Sequence, residues 1–152
     1  MDEGEQQSFR AFVEVVEPKL RRALIASYGF EQGREATAEA LAWAWENWDR
    51  AKSLDNQTAY LFRVGQSRIR SHKVPVTFDR DSRAEPWFEP ALAPALAALT
   101  ERQRVAVVLI HGFDWTLREV AELMEIRVTS VQTHLDRGLT NLRSALEVAD
   151  NA

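Results

Sequence analysis

The stretch TLREVAELMEIRVTSVQTHLDRGL, from Thr116 to Leu139, leaves a chain few ways to fold. Thr116 stands three residues ahead of Glu119. In that spacing the threonine hydroxyl and the glutamate side chain each satisfy an unpaired amide of a helix's first turn. Val120, Ala121 and Met124 then recur at helical intervals. Glu125-Ile126-Arg127 interrupts them, and Val131, Leu135, Leu139 and Leu142 take the apolar seam up again. Two short amphipathic helices separated by a sharp stop form a helix-turn-helix. The small Ala121 suits a close crossing, and Ile126 and Val131 plug the corner. With that seam inward, the second helix turns Arg127, Thr129, Ser130, Gln132 and Thr133 outward near its start. Such side chains reach base edges and phosphates in a major groove, and a helix N-terminus favours phosphate. A purely structural helical hairpin with a polar outer face has the same pattern, so the residues alone leave both readings open.

The rest of the chain carries the same period. Phe9, Phe12, Val13, Val16, Leu20, Leu24 and Ile25 predict a helix over 9–27, kinked or restarted at Pro18 and capped by Gly29. A second helix is expected over 34–48, with Ala38, Leu41, Ala42, Trp45 and Trp48 on its buried face and Trp43 pointing elsewhere. A third runs from Asp55, its expected cap, to about Lys73, burying Tyr60, Leu61, Val64 and Ile69. Residues 74–90, VPVTFDRDSRAEPWFEP, hold three prolines and mixed charge and read as a linker. Helix returns over 92–147. Thr100 and Gln103 make another capping box, Val105, Val108 and Leu109 are core candidates, and Gly112 ends that segment. The fold class is therefore all-α: two small helical domains joined by a short linker, residues 1–73, 74–91 and 92–148, the C-terminal one a helix-turn-helix.

Charge and composition exclude several functions. The net charge is −4, which argues against a protein that coats nucleic acid unaided. The charge is uneven. Residues 1–50 hold ten acids and six bases, 51–90 five and seven, and 91–152 eight and six. The net-basic middle is crowded by Arg63, Arg68, Arg70, His72 and Lys73. Five basic side chains so close together point to phosphate contact; the solvated end of a helix is the plainer account. Cysteine is absent, so disulfides and thiol chemistry are excluded, in keeping with a cytoplasmic protein. No apolar run approaches the ~20 residues of a membrane span, and MDEGEQQS is too acidic for a secretory signal. His72, His111 and His134 are scattered, and no HExxH, GxSxG or phosphate-cradling glycine loop occurs. No enzyme, metal site or cofactor is expected.

From Leu99 the segment LTERQRVAVVLIHGFDWTLREVAELMEIRVTSVQTHLDRGLTNLRSAL resembles the promoter-reading C-terminal domain of bacterial sigma factors of the extracytoplasmic-function group. The likeness rests on Leu99, Arg104, Glu119-Val120-Ala121, Met124-Glu125-Ile126, Ser130-Val131, Arg137-Gly138 and Leu142-Arg143. Response-regulator DNA-binding domains share the helix-turn-helix core. In the N-terminal half, Ala38-Glu39-Ala40-Leu41, Ala59-Tyr60-Leu61 and Val64-Gly65-Gln66-Ser67-Arg68 are similar to the family's polymerase-gripping and −10-element helices. The chain departs from the pattern at Ala40 (usually aspartate), Trp43 (near the usual glutamine), Ser67 (asparagine), Glu125 (glycine) and Arg127 (serine).

The resemblance implies a sigma factor that directs RNA polymerase core to promoter DNA, with an anti-sigma protein as a further candidate partner. It implies polymerase contact at Glu39, Leu41 and Trp43. It implies DNA contact at Arg63, Arg68, Arg70 and Lys73 in the first domain, and at Arg127, Thr129, Ser130, Gln132, Thr133 and Arg137 in the second. Two other readings stand beside it. One is a sigma-like DNA-binding regulator without productive polymerase binding, motivated by Ala40 and Trp43. The other is a helical protein-interaction module with no DNA role.

Overall fold

The computed structural model describes residues 1–72 and 91–150. The expected linker, with Lys73, lies outside the described residues except for Ala91. The described elements are all helical: α1 Glu3–Tyr28, α2 Phe30–Glu46, α3 Trp48–Ala51, α4 Gln57–His72, α5 Leu92–Ala97, α6 Glu101–Val107, a π-helical segment Val108–Gly112, α7 Leu117–Met124 and α8 Val128–Asp150. They group into two compact units: the described residues of the first are 1–25 and 31–72, those of the second 26–30 and 91–150.

In the first unit α1 begins six residues before its apolar stripe, because the Asp2 carboxylate accepts from the Glu5 amide at 2.8 Å and caps the helix. Glu3 and Glu5 add negative charge in the first turn, where the helix dipole favours it. The helix does not restart at Pro18: α1 runs through it as one element. Proline removes one amide donor, toward Glu14, and Glu14 is exposed to water. Phe12 and Val16 before it and Leu20, Leu24 and Ile25 after it are all buried. Gly29 ends α1 with a φ of 94°, the left-handed cap that glycine adopts without a Cβ clash.

The buried face of α2 differs from the expected one. Gly33, Ala36, Thr37, Ala40 and Ala44 are buried, while Ala38, Ala42 and Trp45 are exposed and Leu41 is half-buried. Contact distance decides this. A Cβ built on Gly33 would lie 2.5 Å from the Ile25 Cα and 2.6 Å from its amide nitrogen. At that approach only small side chains fit between the helices, so the large ones face away. Thr37 satisfies its buried hydroxyl by donating to the Gly33 carbonyl at 2.7 Å. Trp48 belongs to α3 and is buried, packing edge-on against Phe9 at 5.2 Å and Phe12 at 5.2 Å between ring centroids. In α4 the cap is Asn56 rather than Asp55, its side-chain oxygen accepting from the Ala59 amide at 3.0 Å. The buried residues there are Leu61, Phe62, Gly65 and Gln66; Tyr60, Val64 and Ile69 are half-buried.

In the second unit the two expected capping boxes are present. Thr100 Oγ1 accepts from the Gln103 amide at 3.2 Å and Thr116 Oγ1 from the Glu119 amide at 3.0 Å, with the reciprocal bonds closed in both. Val105, Val108 and Leu109 are buried as expected. Arg104 is buried too, and its guanidinium acts as a carbonyl clamp. Nε donates to the Ser27 carbonyl, and Nη1 donates to the Leu99 carbonyl at 3.1 Å and the Leu96 carbonyl at 3.5 Å. Burial pulls its pKa down, and Tyr28 and Glu101 push the other way. Helix-end carbonyls carry partial negative charge, so the cation is satisfied by the carbonyls of Ser27 near the end of α1, Leu96 in α5 and Leu99 just beyond it.

Gly33→Ala should destabilise the first unit by about 1–3 kcal/mol, because the added methyl meets backbone that cannot swing aside. Gly112→Ala is the matched control. A Cβ there meets nothing within 4 Å, and its stability should be unchanged or slightly raised. Urea denaturation of the two variants checks this, and equal midpoints would refute the packing argument.

Candidate nucleic-acid interface

The second unit presents one exposed polar rim on a rigid support. α7 ends at Glu125, whose φ of 57° is left-handed, a position a side chain occupies at a cost of about 1–2 kcal/mol. The Ile126 amide donates back to the Ala121 carbonyl at 3.1 Å and the Glu125 amide to Glu122 at 3.3 Å. These bonds close the helix end and turn the chain sharply. α8 then starts at Val128, with the Arg127 carbonyl accepting from the Ser130 and Val131 amides at 3.0 and 3.1 Å. Arg127 in place of a capping serine therefore does not delay the helix. Val120, Ala121 and Leu123 of α7 and Val131 and Leu135 of α8 are buried between the helices; Leu139 and Leu142 are half-buried.

That packing decides what faces out. Arg127, Thr129, Gln132, Thr133 and Arg137 are exposed, and Ser130 is half-buried. Gln132 donates from Nε2 to Asp136 Oδ1 at 2.8 Å, which holds the amide in one orientation. The Thr133 hydroxyl donates to the Thr129 carbonyl at 3.1 Å, leaving its oxygen lone pairs to accept. The six residues expected to meet DNA thus lie between the turn and the third turn of α8, five of them exposed and Ser130 half-buried.

α8 is seated by its own close crossing. A Cβ on Gly138 would lie 2.9 Å from Val107 Cγ2 and 3.2 Å from Gln103 Cβ, so α6 and α8 meet nearly backbone to backbone. His134, half-buried four residues before Gly138, has its pKa lowered by burial and by the guanidinium charges of Arg102 and Arg137. Arg102 comes from α6 and was not singled out from the sequence. Only the crossing of the two helices brings it near α8, and no local pattern signals that.

The first unit holds the other expected residues. Arg63, Arg68 and Arg70 are exposed along α4, while Lys73 lies outside the described residues. On α2, Glu39, Leu41 and Trp43 are half-buried. The Trp43 ring lies 5.1 Å from Tyr60, and the Arg50 guanidinium stands over both, 5.9 Å from the Trp43 centroid and 5.3 Å from that of Tyr60. Trp45 is exposed but braces Phe9 edge-on at 5.0 Å. Ala40 is fully buried, so the missing carboxylate at that position takes nothing from the surface. Among the described residues there is no cluster able to hold a metal ion and no helix long and apolar enough to cross a membrane.

Residues 91–142 match the family model of sigma-70, region 4. No curated protein matches the chain. Among solved structures the chain is similar to the sigma factor RpoE from Bartonella quintana, in its co-crystal structure with the anti-sigma factor NepR. The TM-score is 0.79 at 18% identity, covering 93% of this chain and 98% of that one. The likeness at that identity is one of fold.

Arg127→Ala and Gln132→Ala should leave the melting transition in place, because both side chains are exposed. Each should weaken binding to a preferred duplex by about 1–3 kcal/mol if its side chain reads a base. Fluorescence anisotropy against preferred and scrambled duplexes measures this; unchanged affinity for both would remove these residues from the interface.

Proposed function

We propose that this chain, with a C-terminal domain of the sigma-70 region 4 family inside a sigma-factor fold, is a sigma factor of the extracytoplasmic-function group. In this reading it binds RNA polymerase core and promoter DNA, and an anti-sigma protein holds it in check. The observation that carries the reading is the exposed rim of Arg127, Thr129, Gln132, Thr133 and Arg137, set on a helix whose opposite side is locked into the domain core.

The mechanism divides the work. α8 enters the major groove of the −35 element, as the second helix of a helix-turn-helix does. Arginine is suited to guanine O6 and N7, glutamine to adenine N6 and N7, and the threonines to either partner. The first unit, 1–73 in functional terms, meets polymerase through Glu39, Leu41 and Trp43 on α2. It meets the −10 element through Arg63, Arg68, Arg70 and Lys73. The chain provides address and strand opening, and phosphodiester chemistry stays with the polymerase. A net charge of −4 fits this division, because two weak contacts joined through one polymerase gain a high effective concentration for each other. The burial of Ala40 weakens the case for a regulator that has lost its polymerase.

Transcription by core polymerase with this chain on a genomic promoter library tests the proposal. Defined run-off products are expected, and the double variant Arg127→Ala/Arg137→Ala should lose them while still co-purifying with core. Trp43→Ala should do the reverse, lowering co-purification and leaving duplex binding intact. Binding to core without any product would favour the regulator; neither binding nor product would leave the interaction module.

A further inference from the structure

Gln132 stands at the middle of the α8 rim, and its amide is held in one sense. Nε2 donates to Asp136 Oδ1 at 2.8 Å, one helical turn along the same face. An ionised carboxylate only accepts, so the amide oxygen cannot take the nitrogen's place without facing a like partial charge. Both residues are exposed, so the carboxylate rather than packing sets this orientation.

The consequence is a fixed pattern of donors and acceptors. A glutamine amide has two N–H donors and one accepting oxygen. Asp136 takes one N–H, which leaves the oxygen and the other N–H for the groove. Beside it the Thr133 hydroxyl gives its hydrogen to the Thr129 carbonyl at 3.1 Å, so its oxygen too is left to accept. Adenine presents an N6 donor beside its N7 acceptor and matches the amide; guanine presents only the acceptors O6 and N7. An amide oxygen held in place therefore meets a repelling oxygen wherever guanine stands.

We propose that Asp136 is a positioning residue for base selection: it holds the Gln132 amide so that α8 accepts adenine and rejects guanine at the pair beneath Gln132. The inference rests on the reading of α8 as a DNA-recognition helix and adds the residue that sets the sense of its central contact. Asp136 itself touches no base. Its negative charge repels phosphate whatever the sequence, which lowers affinity for all duplexes alike. Its selective effect therefore appears only in the ratio of two affinities, as a penalty against the wrong base.

The test begins with the full chain selecting preferred duplexes from a random-sequence library. Gln132→Ala identifies the pair that Gln132 reads, as the one where selection vanishes. Fluorescence anisotropy then compares duplexes carrying A·T and G·C at that pair. The side chain introduced by Asp136→Asn both accepts and donates, so it lets the amide turn. It should narrow the adenine preference by about 2- to 12-fold, the fold-change of one hydrogen bond, by strengthening binding to the guanine duplex relative to the adenine one. At the other pairs of the site the ratios should stay as in the wild type. Circular dichroism melting confirms that both variants are folded. Four results overturn the positioning role while the sigma-factor reading stands: an unchanged ratio at the Gln132 pair, an equal narrowing at other pairs, a Gln132 pair other than A·T, or a Gln132→Ala variant that selects the same bases as the wild type. If the wild-type chain selects no sequence, the DNA reading fails and this inference fails with it.

Discussion

Both units depend on one constraint: two helices come nearly into backbone contact where one of them has no side chain. In the first unit Gly33 lies against the Ile25 backbone, and in the second Gly138 lies against Val107 and Gln103. Close crossing increases dispersion contact along both helices, but it excludes any large side chain from the seam. The composition of each face follows from that. α2 buries glycine, alanines and a threonine that bonds its own backbone, and its larger residues are sent to the other side.

The displaced aromatics then define surfaces. Trp48 finds cover beneath Phe9 and Phe12, whereas Trp45 keeps one face in solvent and Trp43 stacks on Tyr60 under the Arg50 guanidinium. The proposed polymerase-facing side of α2 is therefore a consequence of how tightly its other side is packed. In the second unit the crossing at Gly138 seats α8, and the buried Arg104 satisfies the carbonyls of Ser27, Leu96 and Leu99. A rigid seat matters for a reading helix, because base discrimination depends on donors and acceptors arriving at fixed positions.

Where local chemistry decides an outcome, sequence and structure agree. The capping boxes at Thr100 and Thr116 need only residues three apart, and the turn at Glu125 needs only the interruption of an apolar period. The rim of α8 could be read because Val131 and Leu135 identify the inward side, which leaves the polar positions outward. The buried side of α2 could not be read the same way. Hydrophobic size pointed to Leu41, Ala42 and Trp45, and interhelical distance chose Ala36, Ala40 and Ala44 instead. The helix start was misplaced at Asp55 because aspartate and asparagine cap equally well, and the two stand side by side.

The sequence by itself determined that the elements of the two units are helices, where the second half turns, and which residues of α8 face out. Each of these is set by interactions within a few positions along one helix. Only the tertiary structure decided how closely helices approach, and therefore which side of α2 is buried. It also decided that Val107 and Gln103 of α6 lie against Gly138 of α8. Those outcomes depend on distances between segments remote in the chain, where a missing Cβ on one helix sets the neighbours of another.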